Sequence, residues 1–291
     1  MQRKNAILYL TNAKEVIMTK NTTYGSVQQV KQFFPLLYGE ISDFQVERYE
    51  KLLNRFNKEF GYSKGYIASS SGRVEICGNH TDHNGGRVLA CAISLDTLAV
   101  FMPTDDNKIV IKSEGDPEFE VDLQKENFTK SQTSKSLVEG ICVALKNNGY
   151  KVGGFCASIT SNVLSGAGIS SSASFELLIV EIFNFLYNDS LISEQEKAKF
   201  AQFAENVYFE KPCGLLDQTA IAFGGVNQLD FFNNNRIKVN KIQNQLSDYS
   251  LVLINTGGSH ENLTNEYASI PNEMFSIANY FGYKRLIDID E

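Results

Sequence analysis

Long apolar runs are missing from this chain of 291 residues, and none approaches the length of a membrane-spanning helix, about 18 residues. The N-terminal Met1-Gln2-Arg3-Lys4-Asn5 precedes an apolar stretch at 6–10 that stops at Thr11-Asn12. That is too short for a signal-peptide core, and no small-residue cleavage site follows. These absences predict a cytoplasmic protein with no membrane partner. Histidine is scarce, at three residues, and the five cysteines (Cys77, Cys91, Cys142, Cys156, Cys213) never form a C-x-x-C pair. A structural zinc site is therefore not expected, and five reduced thiols are. Positive charge is outnumbered: 27 Lys and Arg stand against 34 Asp and Glu, a net charge of −7. Broad attraction to nucleic acid is excluded on that balance. An anionic ligand would need local devices such as a helix N-terminus, a metal ion or a single arginine.

Large apolar side chains are plentiful. Hydrophobic residues make up 43% of the chain, with 20 Phe and 13 Tyr, enough for one large or two ordinary domains. Val46, Tyr49, Leu52, Leu53, Phe56 and Phe60 recur at three- and four-residue spacing, which predicts an amphipathic helix over 43–60 ended near Gly61. Strand-like runs follow at 65–68, 73–77, 87–95, 98–102 and 108–112. Further helices are predicted over 136–148, 170–187 and 193–209, with a strand at 153–159. Beyond Gly224-Gly225 the pattern gives strands at 227–232, 235–239 and 251–254, then two helices starting at Glu261 and Asn272. Helices and strands mix without strict alternation, so the expected class is α+β.

Chemistry concentrates in three places. Gly72-Arg73-Val74-Glu75-Ile76-Cys77-Gly78-Asn79-His80-Thr81-Asp82-His83-Asn84-Gly85-Gly86 sets two of the three histidines beside an arginine, an aspartate and two asparagines. A tight turn accounts for Asn84-Gly85-Gly86. It does not account for Arg73, His80 or Asp82, whose donors and acceptors suit a polyhydroxylated ligand. Leu164-Ser165-Gly166-Ala167-Gly168-Ile169-Ser170-Ser171-Ser172 opens a long apolar helix. Its glycines let backbone N–H groups approach an anion at the positive end of the helix. The Walker and dinucleotide templates both fail here, for want of a lysine and of a third glycine. The third place is Glu205, followed twelve residues later by Asp217 inside an apolar stretch, where an acid tends to be partnered or functional.

Together these segments resemble the GHMP kinase superfamily, and within it the galactokinase family. The first matches the signature Gly-Arg-Val-Asn-Leu-Ile-Gly-Glu-His-Thr-Asp-Tyr-Asn-Gly-Gly, the second Pro-x-Gly-x-Gly-Leu-Ser-Ser-Ser-Ala, and Cys213-Gly214-Leu215-Leu216-Asp217-Gln218 matches Cys-Gly-x-Met-Asp-Gln. Asn255-Thr256-Gly257-Gly258-Ser259-His260 through Tyr267 gives a fourth match. The resemblance implies a two-domain fold with a cleft between a mixed-sheet N-terminal domain, 1–225, and an incomplete C-terminal domain, 226–291. It implies an ATP-dependent kinase phosphorylating the anomeric hydroxyl of galactose, with ATP and Mg²⁺ as cofactors. A kinase for another sugar or small alcohol, or a non-catalytic sugar sensor, are the alternatives. Asp217 and Arg73 would be the catalytic pair. Asn79, His80, Asp82, Gly214 and Tyr267 would contact the sugar; Gly166, Ala167, Gly168, Ser170, Ser171 and Ser172 would hold the phosphates; and Ser172 with Glu205 would hold Mg²⁺. Asn79 stands where the family has Glu, His83 where it has Tyr, and Glu210 where it has Gly. The family runs longer and carries a further glycine-rich motif, so the chain is expected to be a fragment, poorly active alone, with an uncovered apolar face including Ile270, Met274, Ile277 and Phe281.

Overall fold

The structure, a computed structural model, describes residues 22–39, 41–233, 236–242 and 264–289, with side chains in the last segment from residue 269 onward. The predicted strand at 251–254 and the match at 255–260 lie outside the described residues, as does the side chain of Tyr267. In chain order the elements are helices α1 (Val27–Val30), α2 (Phe34–Tyr38) and α3 (Asp43–Phe60), strands β1 (Tyr66–Cys77), β2 (Arg87–Thr104), β3 (Lys108–Ser113) and β4 (Phe119–Asp122), helix α4 (Ser134–Asn147), strand β5 (Gly154–Ser161), helices α5 (Ser171–Tyr187), α6 (Glu194–Phe203) and α7 (Leu216–Phe223), strands β6 (Val226–Asp230) and β7 (Lys238–Ile242), and helix α8 (Thr264–Tyr280). The class is α+β, as expected.

One seven-stranded sheet organises the molecule, in the order β4-β3-β5-β2-β6-β7 with β1 on the other edge of β2. Among the described residues only β3 and β5 run parallel, so the sheet is mixed. β2 is its spine. The C-terminal half of β2 pairs β5 from Thr97 to Thr104, its N-terminal half pairs β6 from Arg87 to Cys91, and β1 accompanies both halves on the opposite edge. The two runs predicted at each of these positions are thus single long strands, bent by register shifts between Ser71 and Arg73 and between Glu75 and Cys77.

Side-chain alternation on β2 explains how both faces become buried. Leu98 and Val100 pack with α3 residues Tyr49, Leu52, Leu53 and Phe56, whereas Ala99 and Phe101 pack with α4 and α5 residues including Ile141, Leu178, Ile182 and Phe183. Helix α3 keeps its expected bounds because both ends are capped: the Ser42 hydroxyl accepts from the Gln45 N–H at 3.3 Å, and Gly61 closes the end at φ 76°.

Two expectations differ. The predicted helix over 193–209 is α6 followed by a π-helical turn, Ala204–Tyr208. The two helices predicted from Glu261 and Asn272 are one, α8, with Pro271 inside it. A proline removes one helical hydrogen bond and tends to end a helix. Here the half beyond it is anchored by fully buried Ala278 and by the contact of Met274 with Asn84. Past residue 225 the sheet continues with β6, which pairs β2, and β7, which pairs β6. On the named apolar face, Ile277 and Phe281 are exposed, while Ile270 and Met274 are half-buried. Among the described residues no helix is long and apolar enough to cross a membrane.

Candidate active site

Strand β1, the loop from β5 into α5, and the first turn of α7 converge on one point. Arg73 Nη2 and Nε reach Asp217 Oδ1 at 2.6 and 2.7 Å, and Arg73 Nη1 donates to the Gly168 carbonyl at 2.6 Å. One guanidinium therefore ties the acid to the glycine-rich loop, in the planar multi-donor geometry that arginine alone supplies. The loop is also stitched to β1 through the backbone, from Arg73 N–H to the Ile169 carbonyl at 3.2 Å.

Ser170 completes the junction. It stands at the N-cap of α5 with φ 61°, yet its hydroxyl does not cap the helix and donates instead to Asp217 Oδ2. The start of α5 is left without a side-chain cap, and Gly166 and Gly168 adopt positive φ of 71° and 70° just before it. An uncapped helix N-terminus behind a left-handed glycine turn is an anion-receptive arrangement. Burial alone would raise the Asp217 carboxyl; the Arg73 charge, the Ser170 and Arg73 hydrogen bonds and the Lys211 charge outweigh it and hold the carboxyl below the usual aspartate value. Asp217 is thus an ionised acceptor, and its side chain keeps 33% of its surface open.

The histidine-bearing loop meets the same segment from the other side. An added Cβ on Gly214 would lie 1.8 Å from Asp82 Oδ2 and 3.2 Å from His83 Cε1, so only glycine allows this approach. The Asp82 side chain is 5% exposed, with His83 Nε2 4.0 Å from its Oδ1. Asn79 is exposed and His80 half-buried, both in left-handed backbone at φ 27° and 65°. The site therefore brings together Arg73, Asp82, Gly168, Ser170, Gly214 and Asp217.

A second cluster lies beneath the loop. Ser172 Oγ and Lys211 Nζ both reach Glu205 Oε1 at 2.9 Å, while Gln218 Nε2 and Cys213 Sγ reach its Oε2 at 2.8 and 3.2 Å. Gln218 Nε2 also lies 3.2 Å from Glu176 Oε2. Burial, then the Glu205 charge, pushes the Glu176 carboxyl well above the usual range. Sequence reasoning missed Lys211 and Glu176. Lys211 was findable as the lone cation between Glu205 and Asp217; Glu176, one acid in an apolar helix, gave only a weak signal. The two expected metal residues do converge, and their shared oxygen suits a cation, because the Lys211 ammonium already sits on it. Among the described residues no group of three His, Cys, Asp or Glu side chains is placed to hold a metal ion unaided.

Comparison with known proteins finds two family matches that span these segments. Residues 54–103 match the galactokinase galactose-binding signature, and 136–225 match the GHMP kinase N-terminal domain. The chain is 32% identical over 220 residues to a galactokinase of Clostridium tetani, covering 74% of this chain and 56% of that protein. Against a galactokinase of Pyrococcus furiosus it is 38% identical over 199 residues, covering 68% and 55%. The chain thus spans about half the length of the curated relatives it matches. Among solved structures, Lactococcus lactis galactokinase complexed with galactose superposes with TM-score 0.67 at 25% identity, covering 81% of this chain and 63% of that one. Methanococcus jannaschii mevalonate kinase shares the fold, with TM-score 0.54 at 19% identity over 73% of this chain and 69% of that one.

Proposed function

We propose, from the premise that this chain belongs to the galactokinase family of the GHMP kinases, that it carries the phosphoryl-transfer centre of an ATP-dependent galactose 1-kinase. One observation carries the reading: Asp217, held ionised by Arg73, shares Ser170 with the uncapped N-terminus of α5. The acceptor of a proton and the receiver of an anion are thereby fixed a hydrogen bond apart. Phosphoryl transfer asks a protein for positioning and charge neutralisation more than for covalent chemistry.

In this reading Asp82, His80, Asn79 and the Gly214 backbone hold the sugar so that its anomeric hydroxyl faces Asp217 Oδ2, with Tyr267 contributing from α8. Asp217 accepts the hydroxyl hydrogen bond and takes the proton as the oxygen attacks the γ-phosphorus; the bond from that phosphorus to the bridging oxygen of ADP breaks. Arg73 keeps Asp217 charged. Gly166, Ala167, Gly168, the N–H groups of Ser170, Ser171 and Ser172 and the Ser171 hydroxyl receive the phosphate oxygens. Ser172 and Glu205 would hold Mg²⁺, which when bound with ATP supplies positive charge against the phosphates. The N-terminal domain, 1–225, carries the signature segment, the glycine–serine loop and Asp217, and 226–291 is part of a C-terminal domain. All five cysteines are free, which supports a reducing, cytoplasmic setting.

The test is ADP release from MgATP across a panel of free hexoses and pentoses, with galactose binding followed in parallel. Galactose-dependent ADP release is expected. Binding of galactose without any turnover would replace the kinase reading with that of a sugar sensor; no response to any sugar would refute both.

A further inference from the structure

Lys211 is placed with more care than a surface counter-ion requires. After the π-helical turn Ala204–Tyr208 the chain doubles back, helped by Glu210 at φ 60°, and the Lys211 N–H donates to the Glu205 carbonyl at 3.1 Å. That bond returns the Lys211 side chain to the residue from which the turn began. Its ammonium then meets Glu205 Oε1 at 2.9 Å, on the oxygen that Ser172 also uses. The Glu205 side chain is 3% exposed and the Lys211 side chain 41%, so the carboxylate is sealed in while the cation retains a way out to solvent. With Ser172, Lys211, Gln218 and Cys213 all on it, the Glu205 carboxylate has its acceptor sites filled. A divalent ion can gain it only by displacing one of them. Lys211 is the partner that such an ion would repel and the one free to leave.

We propose that the Lys211 ammonium is a built-in competitor for the divalent-cation site: it occupies Glu205 in the free protein and yields only when a phosphate-bearing nucleotide brings the ion. The proposal rests on the reading that Ser172 and Glu205 take Mg²⁺. Magnesium is held by one or two carboxylates together with substrate phosphates, so a single contested carboxylate suffices in the ternary complex and fails without it. Coupling metal entry to nucleotide entry follows from that competition, without any moving domain.

The experiment titrates Mn²⁺ into the full chain without nucleotide and reads free Mn²⁺ by electron paramagnetic resonance. The wild type, Lys211→Met, Lys211→Gln and Lys211→Met/Glu205→Gln are compared, with circular dichroism to check folding. Lys211→Gln keeps a neutral donor toward Glu205 and serves if the Met variant does not fold. Removing the ammonium is expected to tighten Mn²⁺ binding at least tenfold, and Glu205→Gln to abolish that gain. Equal Mn²⁺ binding by the wild type and the folded Lys211 variants, or Glu205-dependent binding by the wild type of equal strength, overturns the proposal. The underlying reading fails separately: Glu205→Gln alone, titrated with Mn²⁺ and a non-hydrolysable ATP analogue, would then bind the ion as the wild type does.

Discussion

Of the arginine–aspartate pairs on the β1–β2 ribbon, Arg48–Asp96 and Arg73–Asp217 differ in their surroundings. Asp96 lies on β2 with its side chain 3% exposed. Arg48 Nη1 reaches its Oδ1 at 2.5 Å, the Tyr38 and Ser69 hydroxyls take Oδ2, Arg48 Nη2 reaches its carbonyl at 2.9 Å, and its N–H donates to Asn162 at 2.7 Å. Every polar group is matched by another part of the protein, so this pair fastens α2 and α3 to the sheet. Around Asp217 the matching is deliberately incomplete in its geometry. Both Arg73 contacts fall on Oδ1, Oδ2 has only the Ser170 hydroxyl among the described residues, and one third of the side chain faces out. Closing a pair on all sides makes a structural fastener; leaving one carboxylate oxygen partly free makes an acceptor for something that arrives.

The largest expected effects test that contrast by crossing it. Asp217→Asn should lower galactose-dependent ADP release by about 10²–10⁴-fold, the range for losing a positioned proton acceptor, while the melting temperature stays close to that of the wild type. Asp96→Asn should do the reverse. Removing one partner of a buried pair costs about 3–5 kcal/mol, so denaturant unfolding should show that loss, with kcat near normal wherever the variant remains folded. If Asp217→Asn destabilises as much as Asp96→Asn, the two pairs are not different in kind.

A smaller effect is expected where the histidine loop meets the Asp217 segment. Gly214→Ala places a methyl 1.8 Å from Asp82 Oδ2, and one of the two segments must shift. Galactose KM should rise about tenfold or more, equivalent to about 1.4 kcal/mol, with a lesser change in kcat because Arg73 and Ser170 still hold Asp217. A fall in kcat at unchanged KM would show that Gly214 serves the acid and not the sugar.

The open pair was legible in the sequence and the closed one was not. Arg73, Asp217 and the glycine–serine loop sit in short segments whose residue types exceed what a turn or a helix cap needs. Asp96 and Arg48 sit in a strand and an amphipathic helix, and nothing local distinguishes them from ordinary charged residues; their meaning comes from a contact 48 positions apart. The same distinction runs through the fold. Helix α3, expected from Asp43 to near Gly61, was readable because its periodicity and both caps are local. The joining of two predicted runs into β2, and the addition of β6 and β7 to its sheet, depend on pairing partners far along the chain. Pro271 misled for the opposite reason, since a local rule was overridden by the tertiary anchoring of Met274 and Ala278.

The smallest effect, and the sharpest for Asp217 itself, is in the pH dependence of stability. Its folded-state carboxyl lies below the ordinary aspartate value of 3.8, through the Arg73 charge and the Ser170 and Arg73 hydrogen bonds acting against burial. A group depressed in the folded state binds its proton more readily when unfolded. Its stabilising contribution is therefore complete above the unfolded value and is lost as pH falls through the folded one. The stability difference between wild type and Asp217→Asn should be constant from pH 8 down to about pH 5 and shrink below it, over the range in which carboxylates take up protons. Because the side chain is one third exposed, solvent screens the pair and the difference stays small. Denaturant unfolding of both proteins at intervals across that range measures it. A difference that instead disappears between pH 6 and 8 would mean that Asp217 is not held ionised by Arg73, and the open pair would lose its claim to be the proton acceptor.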